Sequence, residues 1–404
     1  MKNKEDVIKL RGRIFKNKVL VLYLLSISAF CASLFQNIYT PTIPLIRDSF
    51  GVSINWVNFT VGGFIFVTAI MQIVLGTFID SRSQKELLIT SLVITSVSSI
   101  VCAFSTNFTI FMIFRMFQSV GTAIIPLVAI NMIAQLFEGE ARGSAMGTYQ
   151  ILLTLAPAIS PILGGLLGQY SGYSGVFLFL FTISIILLML FWYLLPGNEA
   201  ESRPSNNKGI LNIYITVLSN RTGVTSFILG FFVFFIYFSI LVYLPVLLSD
   251  YYHVSLQIIG ILYLPLTVSM IIGSVLYKRL QKKIALKKLL LAILVLMPLQ
   301  VILFGLLQES SIAGLSIVLF CYGITVGFAP PFFSTIISNE YCDNRGAALG
   351  LFNFIRYSGM AIGSIIAGLY KVMSVSLLFI ILGILLYLIA IVQYRILNKA
   401  AAQA

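Results

Sequence analysis

Arg142-Gly143-Ser144-Ala145-Met146-Gly147-Thr148-Tyr149-Gln150 returns 203 residues later as Arg345-Gly346-Ala347-Ala348-Leu349-Gly350-Leu351-Phe352-Asn353. At the same offset Gly165-Leu166 falls opposite Gly368-Leu369. In a chain of 404 residues that offset is half of the molecule. Hydrophobic residues make up 59% of the chain and charged residues 10%, which excludes a soluble globular domain. A strongly apolar chain of two like-oriented halves predicts a membrane transporter with a central site between its halves.

A bilayer crossing needs roughly 20 mostly apolar residues. Working outward from the repeat, twelve such stretches are predicted, at 19–40, 54–79, 86–105, 109–136, 143–168, 175–196, 222–248, 255–277, 286–307, 312–337, 346–370 and 373–394. The expected fold is an all-α membrane protein with twelve transmembrane helices in two six-helix pseudo-symmetric halves. Residues 1–18 form a basic cytoplasmic N-terminus, 19–196 the N-terminal half and 197–221 a flexible cytoplasmic linker. Residues 222–394 form the C-terminal half and 395–404 a cytoplasmic tail.

The formal charge is +13, and its placement excludes a nucleic-acid footprint. With the N-terminus inside, 22 of the 26 Lys and Arg fall in cytoplasmic segments. Only Arg47 and Lys371 fall outside, while Arg115 and Arg356 lie within spans. That asymmetry is the positive-inside rule, and it predicts a multi-pass protein of the cell membrane with both termini cytoplasmic. Clusters such as Lys278-Arg279 and Lys282-Lys283 would also meet anionic headgroups of the lipid bilayer. The first span is longer than a signal-peptide apolar core and reads as an uncleaved helix. Cys31, Cys102, Cys321 and Cys342 show no paired spacing, so no disulfide framework, metal site or cofactor is expected. His253, the single histidine, falls at an external helix end.

Four short passages carry mechanism. Gly76-Thr77-Phe78-Ile79-Asp80-Ser81-Arg82-Ser83-Gln84-Lys85 puts an acid and cations at a cytoplasmic helix junction, where the acid can face a helix N-terminus and release it. Arg115 stands inside an apolar helix and needs a cavity or partner, because an unpaired guanidinium in hydrocarbon is costly. Gly121 and Ala123 beside it permit close helix approach. Pro157, Pro161, Gly164 and Gly165 in the fifth span combine kinks with tight packing. Tyr39-Thr40-Pro41-Thr42-Ile43-Pro44 closes the first span.

With these residues in order, the chain resembles the major facilitator superfamily, and within it the twelve-span drug:proton antiporters of the Bcr/CflA kind. Tyr39, Pro41 and Pro44 are similar to that group's Tyr-x-Pro-x-x-Pro element. Gly76, Asp80 and Lys85 resemble its loop motif. Arg115, Gln118, Gly121 and Ala123 resemble its fourth-span motif, whose arginine the resemblance associates with proton coupling. Gly147, Pro161, Gly164 and Gly165 resemble its antiporter motif. The resemblance implies the major facilitator fold, export by alternating access, proton coupling and a monomer.

Departures from the pattern sharpen the reading. Ser83-Gln84 stand where the loop motif has Gly-Arg, Ala156 and Ser160 replace glycines, and Asn37 replaces an acid at the end of the first span. Ten of the 13 acids fall in cytoplasmic segments, and Asp48, Asp250 and Glu309 in external loops. The spans thus hold Arg115 and Arg356 without a counter-acid, so the substrate or an exchanged anion is expected to bring the negative charge. Candidate substrate-binding residues are Arg115, Arg356, Gln36, Asn37, Tyr39, Gln150, Tyr237 and Asn353, with Gln72, Asn131, Tyr149, Tyr263 and Tyr322 as further polar groups. Asp80, Lys85, Gly76, Pro161, Gly164 and Gly165 are the coupling candidates. The expected substrate is a small polar or amphipathic organic molecule with anionic groups, such as a carboxylate metallophore. Rival readings are a multidrug antiporter for cationic or neutral hydrophobic drugs and a non-transporting membrane sensor or scaffold. No nucleophile with a partner base is visible for an enzyme.

Overall fold

A computed structural model describes residues 18–78, 83–137, 139–195, 210–281, 283–284, 286–341, 345–368 and 374–403. All regular structure among the described residues is helical, as a bilayer demands of a chain that must satisfy its own backbone hydrogen bonds. In chain order the helices are α1 (Lys18–Asn37), α2 (Ile43–Phe50), α3 (Ile54–Phe78), α4 (Gln84–Phe104), α5 (Phe108–Leu136) and α6 (Gly139–Leu194). There follow α7 (Ile210–Ser219), α8 (Arg221–Val246), α9 (Leu256–Leu262), α10 (Leu264–Leu280), α11 (Leu286–Leu307), α12 (Ile312–Glu340), α13 (Arg345–Ile366) and α14 (Val375–Gln403).

Eleven helical stretches among the described residues are long and apolar enough to cross a membrane. One of them, Ala145–Leu194, has 50 residues. At 1.5 Å per residue it would run about 75 Å, against a hydrocarbon core of ~30 Å. Gly172 breaks it, with φ 65° and ψ −174°, a conformation that only glycine adopts without strain. Divided there, eleven stretches supply twelve crossings, and the break falls in the gap expected between residues 168 and 175.

Several edges differ from the sequence reading. The first crossing does not end near residue 40. It passes through a 3₁₀ turn at Thr40–Thr42 into α2, because Pro41 has no N–H for an α-helical bond while Pro44 suits the first turn of the next helix. The expected linker contains α7, whose Ile210, Leu211, Ile213, Val217 and Leu218 are too apolar for a solvated tether. The last helix continues past residue 394 to Gln403 through an alanine-rich end that favours helix. Asp250 lies in a π-helical turn, Leu247–Tyr251, that extends α8, rather than in a loop. Residues 1–17, Asp80 and residues 196–209 lie outside the described residues.

The chain divides into two compact units, Met1–Val52 with Gly63–Asn206, and Ser53–Gly62 with Asn207–Ala404. Glycine sets the closest approaches within each. In the first, a Cβ on Gly164 of α6 would stand 2.0 Å from the Ile38 carbonyl oxygen, so α6 lies directly on the end of α1. In the second, Cβ atoms on Gly359 and Gly363 of α13 would stand 2.4 and 2.1 Å from the carbonyl oxygens of Phe231 and Phe235 on α8. This small-xxx-small seam lets two backbones touch, and the Ser239 hydroxyl donates across it to the Gly363 oxygen at 2.9 Å. At the 203-residue offset Ala156 and Ser160 are the counterparts of Gly359 and Gly363. Both are fully buried, and the Ser160 hydroxyl donates back to the Ala156 carbonyl of its own helix.

Candidate functional site

Arg115 is the largest fully buried side chain among the described residues, with 1% of its surface exposed. Asn107 caps α5, accepting from the amides of Thr109 and Ile110, and so fixes the register that turns Arg115 inward. The guanidinium donates to Gln118 Oε1 and, at 3.2 Å, to the Phe35 carbonyl of α1. Gln118 in turn donates to Ser99 Oγ of α4 at 2.7 Å. Three rings close the cage, with the guanidinium carbon 4.2 Å from the Phe64 centroid, 4.7 Å from Tyr39 and 5.7 Å from Phe177. Ring quadrupoles and a carbonyl thus hold the cation where no carboxylate stands among the described residues. Of the expected polar groups, Tyr39 joins this cage. Asn37 turns its amide back to the Ser33 carbonyl at 2.7 Å, Gln36 is half-buried, and Gln150 is exposed.

In the second unit the α8–α13 seam brings Arg356, Tyr237 and Asn353 onto neighbouring turns. The Arg356 guanidinium carbon lies 5.1 Å from the Phe234 centroid and 5.0 Å from Tyr357. Its Nε is buried without a hydrogen-bond partner, and no carboxylate lies within ion-pair distance among the described residues. Asn353 stands one turn before Arg356 on α13, and buried Tyr237 one turn after Phe234 on α8. Tyr263 donates to the Leu241 carbonyl at 2.7 Å, whereas the buried Tyr322 hydroxyl has no partner.

The same seam carries a partly open recess of about 230 Å³. Val224, Phe227, Ile228, Phe231 and Phe232 of α8 line it with Ile355 of α13, and Leu218 closes its end. Sequence reasoning found the two arginines but not Phe64, Phe177, Phe234 or this cavity. Phenylalanine is so frequent in the spans (32 in the chain) that nothing marks the few rings a cation selects.

Among the coupling candidates, Lys85 follows the Ser83 cap of α4 and donates to the carbonyls of Trp192, at 3.3 Å, and Leu195. It therefore places a cation at the C-terminal end of α6, where the helix dipole is negative. Gly76 lies in the last turn of α3. Pro161, Gly164 and Gly165 are buried on α6, and Gly164 lies against the end of α1. Gly147 and its counterpart Gly350 both face open space, so the repeat is kept in local surroundings as well as in sequence.

Comparison with known proteins agrees with this architecture. Over 210 residues the chain is 26% identical to citrate exporter 1 of Aspergillus niger, covering 51% of this chain and 40% of that protein. It is 22% identical over 222 residues to the riboflavin transporter RibZ of Clostridioides difficile, covering 53% of this chain and 49% of that one. The chain thus spans less than half the length of either relative. It is 26% identical over 341 residues to the uncharacterized MFS-type transporter YceJ of Bacillus subtilis, covering 81% and 83% of the two chains. The fold superposes on a bacterial homologue of the lysosomal transporter Spinster with a TM-score of 0.74 at 14% identity, covering 95% of this chain and 98% of that one. On the nucleoside transporter NupG the TM-score is 0.73 at 16% identity, covering 92% and 99%. The family profile of the Major Facilitator Superfamily matches residues 25–364, and the chain belongs to that superfamily.

Proposed function

We propose that this protein is a secondary active transporter that exports a small organic anion across the cell membrane by alternating access. Arg356 is the observation that carries the reading. A half-buried guanidinium over two rings, with an unpartnered Nε and no acid within ion-pair distance among the described residues, is incomplete without an anion. Asn353 supplies a neutral polar group one turn away on α13, and Tyr237 stands one turn after Phe234 on α8. Arg115, with 1% exposure, serves the site by holding Tyr39 and the end of α1 in place. Gly164 gives α6 and the end of α1 their close approach.

Cargo of the carboxylate-metallophore kind, proton coupling of the Bcr/CflA type, both termini in the cytoplasm and a monomeric state complete the proposal. The proton would travel on the substrate's own acid group or through Asp80. The apolar recess on the α8–α13 seam favours a second reading, efflux of neutral hydrophobic drugs. Uptake into everted vesicles under an imposed pH gradient separates the two. Accumulation of anionic metallophores that is lost in a folded Arg356→Ala protein is the expected result. Accumulation of cationic or neutral dyes, unaffected by that substitution, would overturn it.

A further inference from the structure

We infer that the substrate is an amphipathic carboxylate: a carboxylate meets Arg356 while a ring-sized apolar group close to it enters the α8–α13 recess. This rests on the reading of Arg356 as the anion-binding group and narrows it to a substrate class. Phe227, Phe231 and Phe234 follow one another at helical spacing and share one face of α8. The first two line the cavity, and the third carries the guanidinium. Phe231 and Phe234 are three residues apart, about 4.5 Å along the helix. On α13, Ile355 lines the cavity and the next residue is Arg356. The ring that carries the charge and a ring that lines the recess therefore stand one turn apart on α8, whose backbone touches α13 at Gly359 and Gly363.

The dimensions set the apolar group. All seven lining side chains are apolar, and the volume is about 230 Å³. A dry apolar cavity of ~150 Å³ already takes up benzene, so this one has room for a phenyl ring and its linker. The charge sets the head. A guanidinium presents its donors in a fork that matches a carboxylate. Ring and carboxylate must also be separated by only a few bonds, since the recess and the cation are one helical turn apart.

Binding of labelled 4-phenylbutyrate to the purified full chain in nanodiscs of uncharged lipid tests this, with butyrate, 4-phenylbutanol and citrate as competitors. The expected result is that 4-phenylbutyrate binds about tenfold or more tighter than butyrate, which lacks the ring, and than 4-phenylbutanol, which lacks the charge. Arg356→Gln should bring 4-phenylbutyrate down to the level of the alcohol, with Arg356→Lys retaining part of the gain. Ile355→Trp, which fills the recess, should bring it down to the level of butyrate. Val224→Phe fills it from α8 and gives the same answer if the first variant does not fold. Equal binding of acid and alcohol would overturn the inference and mark the recess as a seat for a lipid acyl chain. Arg356-dependent binding of citrate or butyrate with no gain from the ring would also overturn it, while leaving the anion exporter intact. Conversely, a ring gain that depends on Arg356, without gradient-driven transport in vesicles, would sink the exporter and leave the head-and-tail site standing.

Discussion

Replacing Gln118 with leucine should destabilise the protein more than the loss of one neutral hydrogen bond, because the group left behind is a buried cation. Arg115 has two hydrogen-bond acceptors, Gln118 Oε1 and the Phe35 carbonyl, and its Nε has none. With 1% exposure it has no access to water to replace a lost acceptor. Hydrogen bonds to charged groups contribute ~1.5–3 kcal/mol, whereas polar pairs in membrane proteins average ~0.6 kcal/mol in double-mutant cycles. Gln118→Leu is therefore expected to cost about 2 kcal/mol. Arg115→Met leaves Gln118 with its Ser99 partner and removes the need for the cage, so its cost is that of the lost ring contacts and one unpaired amide oxygen. In the double variant no charge and no side-chain amide is left unpaired, and the Phe35 carbonyl loses its donor equally in both Arg115 variants. Its cost should fall short of the sum of the single variants by about 1–2 kcal/mol. Reversible unfolding in mixed micelles, followed through Trp56 and Trp192, measures all three proteins. A coupling below ~0.3 kcal/mol, the level of independent sites, would refute the claim that Gln118 holds the guanidinium.

Two further outcomes follow from the packing and the charge. Gly363→Ala should cost about 1–3 kcal/mol in the same titration, because its Cβ would stand 2.1 Å from a backbone oxygen that cannot yield without separating α8 from α13. Gly350→Ala has open space around it and should be neutral or stabilising, and equal effects at the two positions would contradict the seam. Burial, with the Glu340 carboxylate adding to it, raises the Tyr341 phenol to about 12, while its hydroxyl donates to the Val217 carbonyl at 2.7 Å. The folded state thus favours the neutral phenol, so this contribution is complete below pH ~10 and is lost as pH rises through about 12. Tyr341→Phe should lose about 1 kcal/mol at neutral pH and show a smaller decline between pH ~10 and ~12, measured as the difference between the two proteins.

The sequence by itself determined the fold and its division. Crossings of ~20 apolar residues leave helix as the only solution in a bilayer, and the 203-residue repeat sorts them into two halves. Even the break near Gly172 was legible, because glycine and serine interrupt the apolar run there. Arg115 and Arg356 could be picked out for the same reason, since a cation in a span is conspicuous. What each arginine touches was not legible. Periodicity says which face of a helix is apolar but not which of many phenylalanines from another helix will meet it. Only tertiary packing put Phe64 and Phe177 around Arg115 and closed it from solvent, while leaving Arg356 half-buried over Phe234 and Tyr357. The physical reason is that a lone charge in a span announces its own cost locally, whereas the groups that offset that cost come from residues tens of positions away, and only the packed helices bring them within 5 Å or so of it.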